Sequence, residues 1–124
     1  LNEGLKSRIP HWIEFPDYTP KEMMQILQFM LKHRKLYLKD NETAIELKNK
    51  MFDLMGSLNV NSGNGRFVRN MVDKLTNEKD ARLAQLTPSQ MQNLTNMELM
   101  TITKEDVDKA ALVMHKQQVS MEGI

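Results

Sequence analysis

Thr19-Pro20-Lys21-Glu22 places three helix-start signals on four consecutive residues, so the chain after it is bound to begin as a helix. Threonine suits the N-cap, proline has no amide to leave unpaired at the first helical position, and glutamate at the third closes a capping box. Met23, Met24, Leu27, Met30 and Leu31 then recur at helical spacing, predicting a helix to about His33 or Lys35. Leu36-Tyr37-Leu38 reads as an apolar connector. Asp40 or Asn41 can cap a second helix through Ile45, Leu47, Lys48, Met51, Phe52, Leu54 and Met55, which Gly56 would stop.

A polar loop from Ser57 to Asn64 leads into a third helix, with Val68, Met71, Val72, Leu75 and Leu83 as its apolar stripe. Lys74, Glu78, Lys79 and Asp80 are expected on its solvated face. Leu86-Thr87-Pro88 marks a break, and residues 88 to 102 read as one short helix or two turns, with a capping box at Thr95 to Glu98. Thr103-Lys104-Glu105-Asp106 caps a last helix through Val107, Ala110, Ala111 and Met114, and the tail from Gln117 is expected to fray. Ahead of all this, His11 to Phe15 reads as a strand closed by Pro16. Its apolar residues do not alternate, as in a strand buried on both faces. The fold class is therefore mostly α: a small helical bundle behind an N-terminal strand piece.

Charge and composition exclude several functions. Seventeen basic and sixteen acidic residues leave a net charge of +1, so no broad field draws the chain to nucleic acid or to an anionic membrane. Zero cysteines exclude disulfides and cysteine-held metals. His11, His33 and His115 are too scattered to form a ligand set, and no metal site is expected. No apolar run approaches the roughly 20 residues of a membrane helix, and no signal peptide is expected. A reducing cytoplasmic or organellar interior is the expected location, not secretion. Eleven methionines against 6% aromatics make the core aliphatic and sulfur-rich.

Ser62-Gly63-Asn64-Gly65-Arg66-Phe67-Val68-Arg69-Asn70 carries the chemistry. It sets Arg66 at the start of the third helix, where unpaired amides and the positive dipole end favour an anion. A guanidinium fork suits phosphate. The plain alternative is a solvated arginine on a loop. Arg69 follows one turn later on the same face.

Leu1-Asn2-Glu3-Gly4-Leu5-Lys6-Ser7-Arg8-Ile9, then Phe15-Pro16-Asp17-Tyr18, then Gly63 to Asn70 resemble three blocks of AAA+ ATPases of the CbbX and stage V sporulation protein K type. These typically read Asn-Pro-Gly-Leu-x-Ser-Arg-Phe, Phe-Pro-Asp-Tyr and Gly-Asn-Ala-Arg-x-Val-Arg-Asn. The likeness covers roughly residues 1 to 86 and departs at Glu3, Ile9 and Gly65, where the family usually has proline, phenylalanine and alanine. Gly65 lowers helix propensity at the turn that holds Arg66.

The resemblance implies that residues 1–18 end the large α/β domain and its linker, 19–116 form the helical lid, and 117–124 are a frayed tail. The sequence starts at Leu1, inside the first of these blocks, so it is expected to be a piece of a longer protein; no phosphate-binding loop of the form Gly-x-x-x-x-Gly-Lys-Ser/Thr occurs in it. It further implies ATP and magnesium as cofactors of the whole protein, with neither held tightly by this piece alone. By resemblance Arg8 is the arginine finger acting in trans and Arg66 the sensor 2 arginine. Asn64, Gly65, Arg69 and Tyr18 would border the nucleotide, although a core or hinge tyrosine and a surface Arg69 remain equally plain readings. Implied partners are neighbouring subunits of a homo-oligomeric ring, expected as a hexamer, and a remodelled protein substrate. Two other classes stay open: a helical protein–protein adaptor without nucleotide chemistry, and a DNA-binding helical domain, which the near-zero net charge disfavours.

Overall fold

The computed structural model describes residues 18–56 and 64–122, so Arg8 and the strand expected at 11–15 lie outside the described residues. Within these limits the chain is the helical bundle the sequence predicts, with one addition. Its elements are α1 (Pro20–His33), β1 (Tyr37–Leu38), α2 (Asn41–Gly56), α3 (Asn64–Ala84), α4 (Pro88–Gln92), α5 (Asn96–Leu99), β2 (Thr101–Ile102) and α6 (Lys104–Glu122).

Thr19 caps α1 as expected: its hydroxyl accepts from the Glu22 amide at 3.1 Å, and the Glu22 carboxylate accepts from the Thr19 amide at 2.9 Å. The same reciprocal pair recurs at Thr87–Gln90 and Thr95–Glu98. Each box satisfies two helix-end amides, and this lets helices as short as α4 and α5 persist although neither has a buried residue. The span 88–102 thus holds two short helices and then a strand.

The α1 helix ends with Lys35 at φ 59°, the left-handed region. The Leu36 amide donates to Leu31 O at 2.9 Å and the Lys35 amide to Lys32 O at 3.0 Å, the paired bonds of a Schellman ending. Such a position favours glycine, because a Cβ costs about 1 kcal/mol there. Lys35→Gly is therefore expected to raise the melting temperature by a few degrees, and Lys35→Val to lower it. Equal melting of all three forms would show that the left-handed turn carries no strain.

Leu36–Leu38, expected as a plain connector, supplies β1. It pairs in parallel with β2, Tyr37 opposite Thr101 and Leu38 opposite Ile102. The Tyr37 amide donates to Met100 O at 3.0 Å and the Lys39 amide to Ile102 O at 2.9 Å. Each strand runs directly into a helix, so α2 and α6 begin side by side and run the same way. The Lys104 Nζ to Glu42 Oε1 pair, at 3.2 Å, bridges their first turns.

The core gathers Met23, Leu27 and Met30 of α1, Leu47 and Met51 of α2, Val68, Met71, Val72 and Leu75 of α3, Ile102, and Val107, Ala110 and Met114 of α6. Ile45 and Phe52, within the apolar run predicted for α2, instead stay 60% and 39% exposed. Lys48 Nζ lies 5.7 Å from the Phe52 ring centroid and covers it. The α6 backbone stays helical to Glu122, through most of the expected tail.

One expectation for α3 is overturned. Lys79 does not face water; it is 5% exposed. It stands four residues from both Leu75 and Leu83, on the buried stripe. Its amine donates to Asp80 Oδ1 at 2.7 Å and to Leu99 O at 3.1 Å, so the charge is paired where the stem is buried.

Candidate functional site

The first turns of α3 present the arginines that the sequence singles out. Asn64 opens the helix, Gly65 is buried, and Arg66 is exposed on the third residue. Directly behind Arg66, Phe67 and Val68 are 6% and 0% exposed. The helix start is thereby seated in the core while Arg66 projects from the other side. A guanidinium on a first turn adds its charge to the amides at that end.

Arg69 follows one turn on and is half-buried, as is Asn70. Asp73 continues this strip and accepts from Arg34 Nη1 at 2.8 Å, tying the end of α1 to α3. Both partners are well exposed, so the pair orients more than it stabilises. The strip combines the side chains of Arg66, Arg69, Asn70 and the Arg34–Asp73 pair, a surface able to receive an anion at its Arg66 end.

Tyr18 stands just ahead of the Thr19 cap, half-buried against the core. Burial first, and then the Glu22 carboxylate, pushes its hydroxyl above its ordinary value, so it stays a neutral phenol. It precedes α1, the helix that packs on α3. Arg8 and the Asn64 side chain lie outside the described residues.

An open cleft of about 270 Å³ lies between the starts of α2 and α6, lined by Lys39, Asp40, Glu42, Thr43, Thr103, Lys104 and Glu105. Its polar groups serve the helix ends. Asp40 accepts from both the amide and the hydroxyl of Thr43 at 2.8 Å, and these bonds, the amide's first, hold its carboxyl below the usual carboxylate range. Among the described residues no three histidine, cysteine, aspartate or glutamate side chains group as a metal site, and no helix is long and apolar enough to cross a membrane.

Sequence reasoning missed the polar lock at the far end of α3. Arg82 grips Asp106 through Nε and Nη2, at 3.0 Å each, and gives a further bond to Thr101 O at 2.9 Å. The available signal was Asp106 at the third position of α6, where it accepts from the Thr103 amide at 2.9 Å. Nothing local named Arg82 as its partner.

The AAA lid domain family matches residues 19–117. The chain belongs to the AAA lid domain family. Relatives agree along most of its length. It is 34% identical over 122 residues to ESX-3 secretion system protein EccA3 of Mycobacterium tuberculosis, covering 88% of this chain and 19% of that protein. It is 34% identical over 108 residues to stage V sporulation protein K of Bacillus subtilis, with 86% and 32% covered. The chloroplastic ribulose bisphosphate carboxylase/oxygenase activase of Cyanidioschyzon merolae is 31% identical over 111 residues, with 90% and 36% covered. The chain therefore spans about a fifth to just over a third of the length of these curated relatives. No solved structure matches the chain. The family likeness to CbbX-type AAA+ ATPases, read from three short blocks, is met by these relatives.

Proposed function

We propose that residues 19–116 close over ATP bound by a large domain, whose end and linker are residues 1–18, and that Arg66 contacts the phosphates as the sensor 2 arginine. The observation that supports this reading is Arg66 itself. It is exposed on the first turn of a helix whose inner face is fixed in the core, so helix and arginine would move with the lid as one body. In phosphoryl transfer, negative charge spreads over the transferred group, and a positioned cation lowers the barrier. Arg66 and the first α3 amides suit the phosphates; Asn64, Gly65 and Arg69 would border them, and Tyr18 would border the base.

Magnesium, which neutralises charge between the phosphates, is assigned to the large domain, because the lid's donors here are cationic. Arg8 acts in trans, completing the site of the neighbouring subunit in a homo-oligomeric ring, taken as a hexamer. ATP turnover by that ring remodels a partner protein in a reducing interior. The exposed Ile45 and Phe52 of α2 favour a second reading, a helical adaptor without nucleotide chemistry.

Arg66→Ala decides between the two. In a protein that joins this chain to a phosphate-binding loop, it should weaken ATP binding about 10-fold to 100-fold, since a charge-assisted hydrogen bond contributes about 1.5–3 kcal/mol. The fold should lose no more than about 0.5 kcal/mol. Calorimetry with ATP and a turnover assay give the readout. Wild-type affinity together with wild-type turnover would leave the adaptor reading in place.

A further inference from the structure

Past the end of α3 the chain runs through a long stretch that the core does not hold. Leu83 and Ile102 are 6% and 0% exposed, and no residue between them is buried. The stretch contains α4 and α5, and Met97 within it is 60% exposed. Among the described residues its hydrogen bonds up to Glu98 are local. The Thr87–Gln90 and Thr95–Glu98 boxes and the backbone bonds of the two short helices join residues no more than four apart.

Bonds to the rest of the bundle begin only at the last residues of the stretch. Lys79 Nζ donates to Leu99 O at 3.1 Å, the Tyr37 amide to Met100 O at 3.0 Å, and Arg82 Nη2 to Thr101 O at 2.9 Å. Lys79 makes the first of these contacts along the chain, and it reaches the end of α5 from a position that is 5% exposed.

A segment opens locally where few apolar contacts and mostly short-range hydrogen bonds hold it. We propose that residues 87–99 form a strap that opens as one unit from the folded lid, with Lys79 as the latch that closes it. The hinge lies at Gln85 and Leu86, between α3 and α4. Met100 to Ile102 stay in place, because the Tyr37 and Lys39 amides and Arg82 hold their carbonyls. The two capping boxes travel with the strap, since both partners of each lie inside it. Only the hinge turn and the Lys79 bond change. Arg66 lies about 20 Å back along α3 from Lys79, so opening leaves the anion end undisturbed.

Native-state hydrogen exchange on the 124-residue chain tests the strap. The amides of Met91, Leu94 and Leu99 are hydrogen-bonded only within it. They should exchange about 100-fold faster than those of Met71, Val72 and Leu75 in the core, with little dependence on urea. Strap amides that exchange only with global unfolding would overturn the proposal. Lys79→Met keeps an apolar stem but no amine. Strap exchange should then rise about 10-fold, since a hydrogen bond from a charged group is lost, while the α3 core stays unchanged. Unchanged strap exchange in this variant would remove Lys79 as the latch. Amine acylation of the unaltered chain gives a readout that stands even where the variant folds poorly. Lys79 should be labelled more slowly than the exposed Lys21, yet faster than global unfolding permits. Labelling as fast as at Lys21, or only on global unfolding, would overturn the latch.

Discussion

Arg82→Ala is expected to lower the stability of the chain by about 3 kcal/mol, because it strands the carboxylate of Asp106 in the core. Asp106 is 1% exposed, and its charge is met by the Arg82 fork and by the Thr103 amide. Breaking a buried pair from one side leaves the other charge without compensation, a larger cost than the pair's net contribution. The Arg82 side chain is 30% exposed, which keeps water near and holds the figure to the lower end. Urea unfolding should show an earlier midpoint at unchanged slope.

A second substitution sharpens the expectation. Adding Asp106→Asn to Arg82→Ala removes the stranded charge while retaining an oxygen able to cap α6. The double variant should be more stable than the single one. A single-variant loss below about 1 kcal/mol, or a double variant no more stable than the single, would show that the lock contributes little. The consequence reaches beyond α6, because Arg82 also holds Thr101 O at the strand that pairs with β1.

Arg8→Ala is expected to leave nucleotide affinity nearly unchanged and to lower the ATPase rate about 10³-fold, the lower end of what arginine fingers contribute. The expectation belongs to a ring in which this chain is joined to its large domain. A finger acting in trans stabilises charge that develops in the neighbour's site, so its removal affects the rate rather than binding. Mixing Arg8→Ala subunits with subunits that keep Arg8 but carry a dead phosphate loop should restore part of the activity. Only the mixed interface sets an intact finger against an intact site. If rings shown to exchange subunits gave no recovery, the role in trans would fail and Arg8 would be a structural residue.

Much of the fold was legible because its signals are local. The Thr19 and Thr95 boxes, the Thr103 cap and the apolar stripes of α1, α3 and α6 are set by neighbours three or four residues apart, and the structure keeps them. For the same reason Arg66 could be set at the start of α3 from the residues around it. The family was legible from three blocks whose order survives the departures at Glu3, Ile9 and Gly65.

What tertiary structure alone decided involves partners far apart in the chain. Two-residue strands carry no periodicity, so β1 emerged only once Met100 and Ile102 stood beside Tyr37 and Lys39. Arg82 finds Asp106 across 24 residues, and Lys79 finds Leu99 O across 20, distances over which no spacing rule operates. Lys79 also shows a lysine on an apolar stripe that stays inside because a carbonyl and a carboxylate wait for it. The sequence by itself determined the helices, their caps and the lid family. Only packing could select which charges are buried, since burying one is tolerable only where the fold brings its partner.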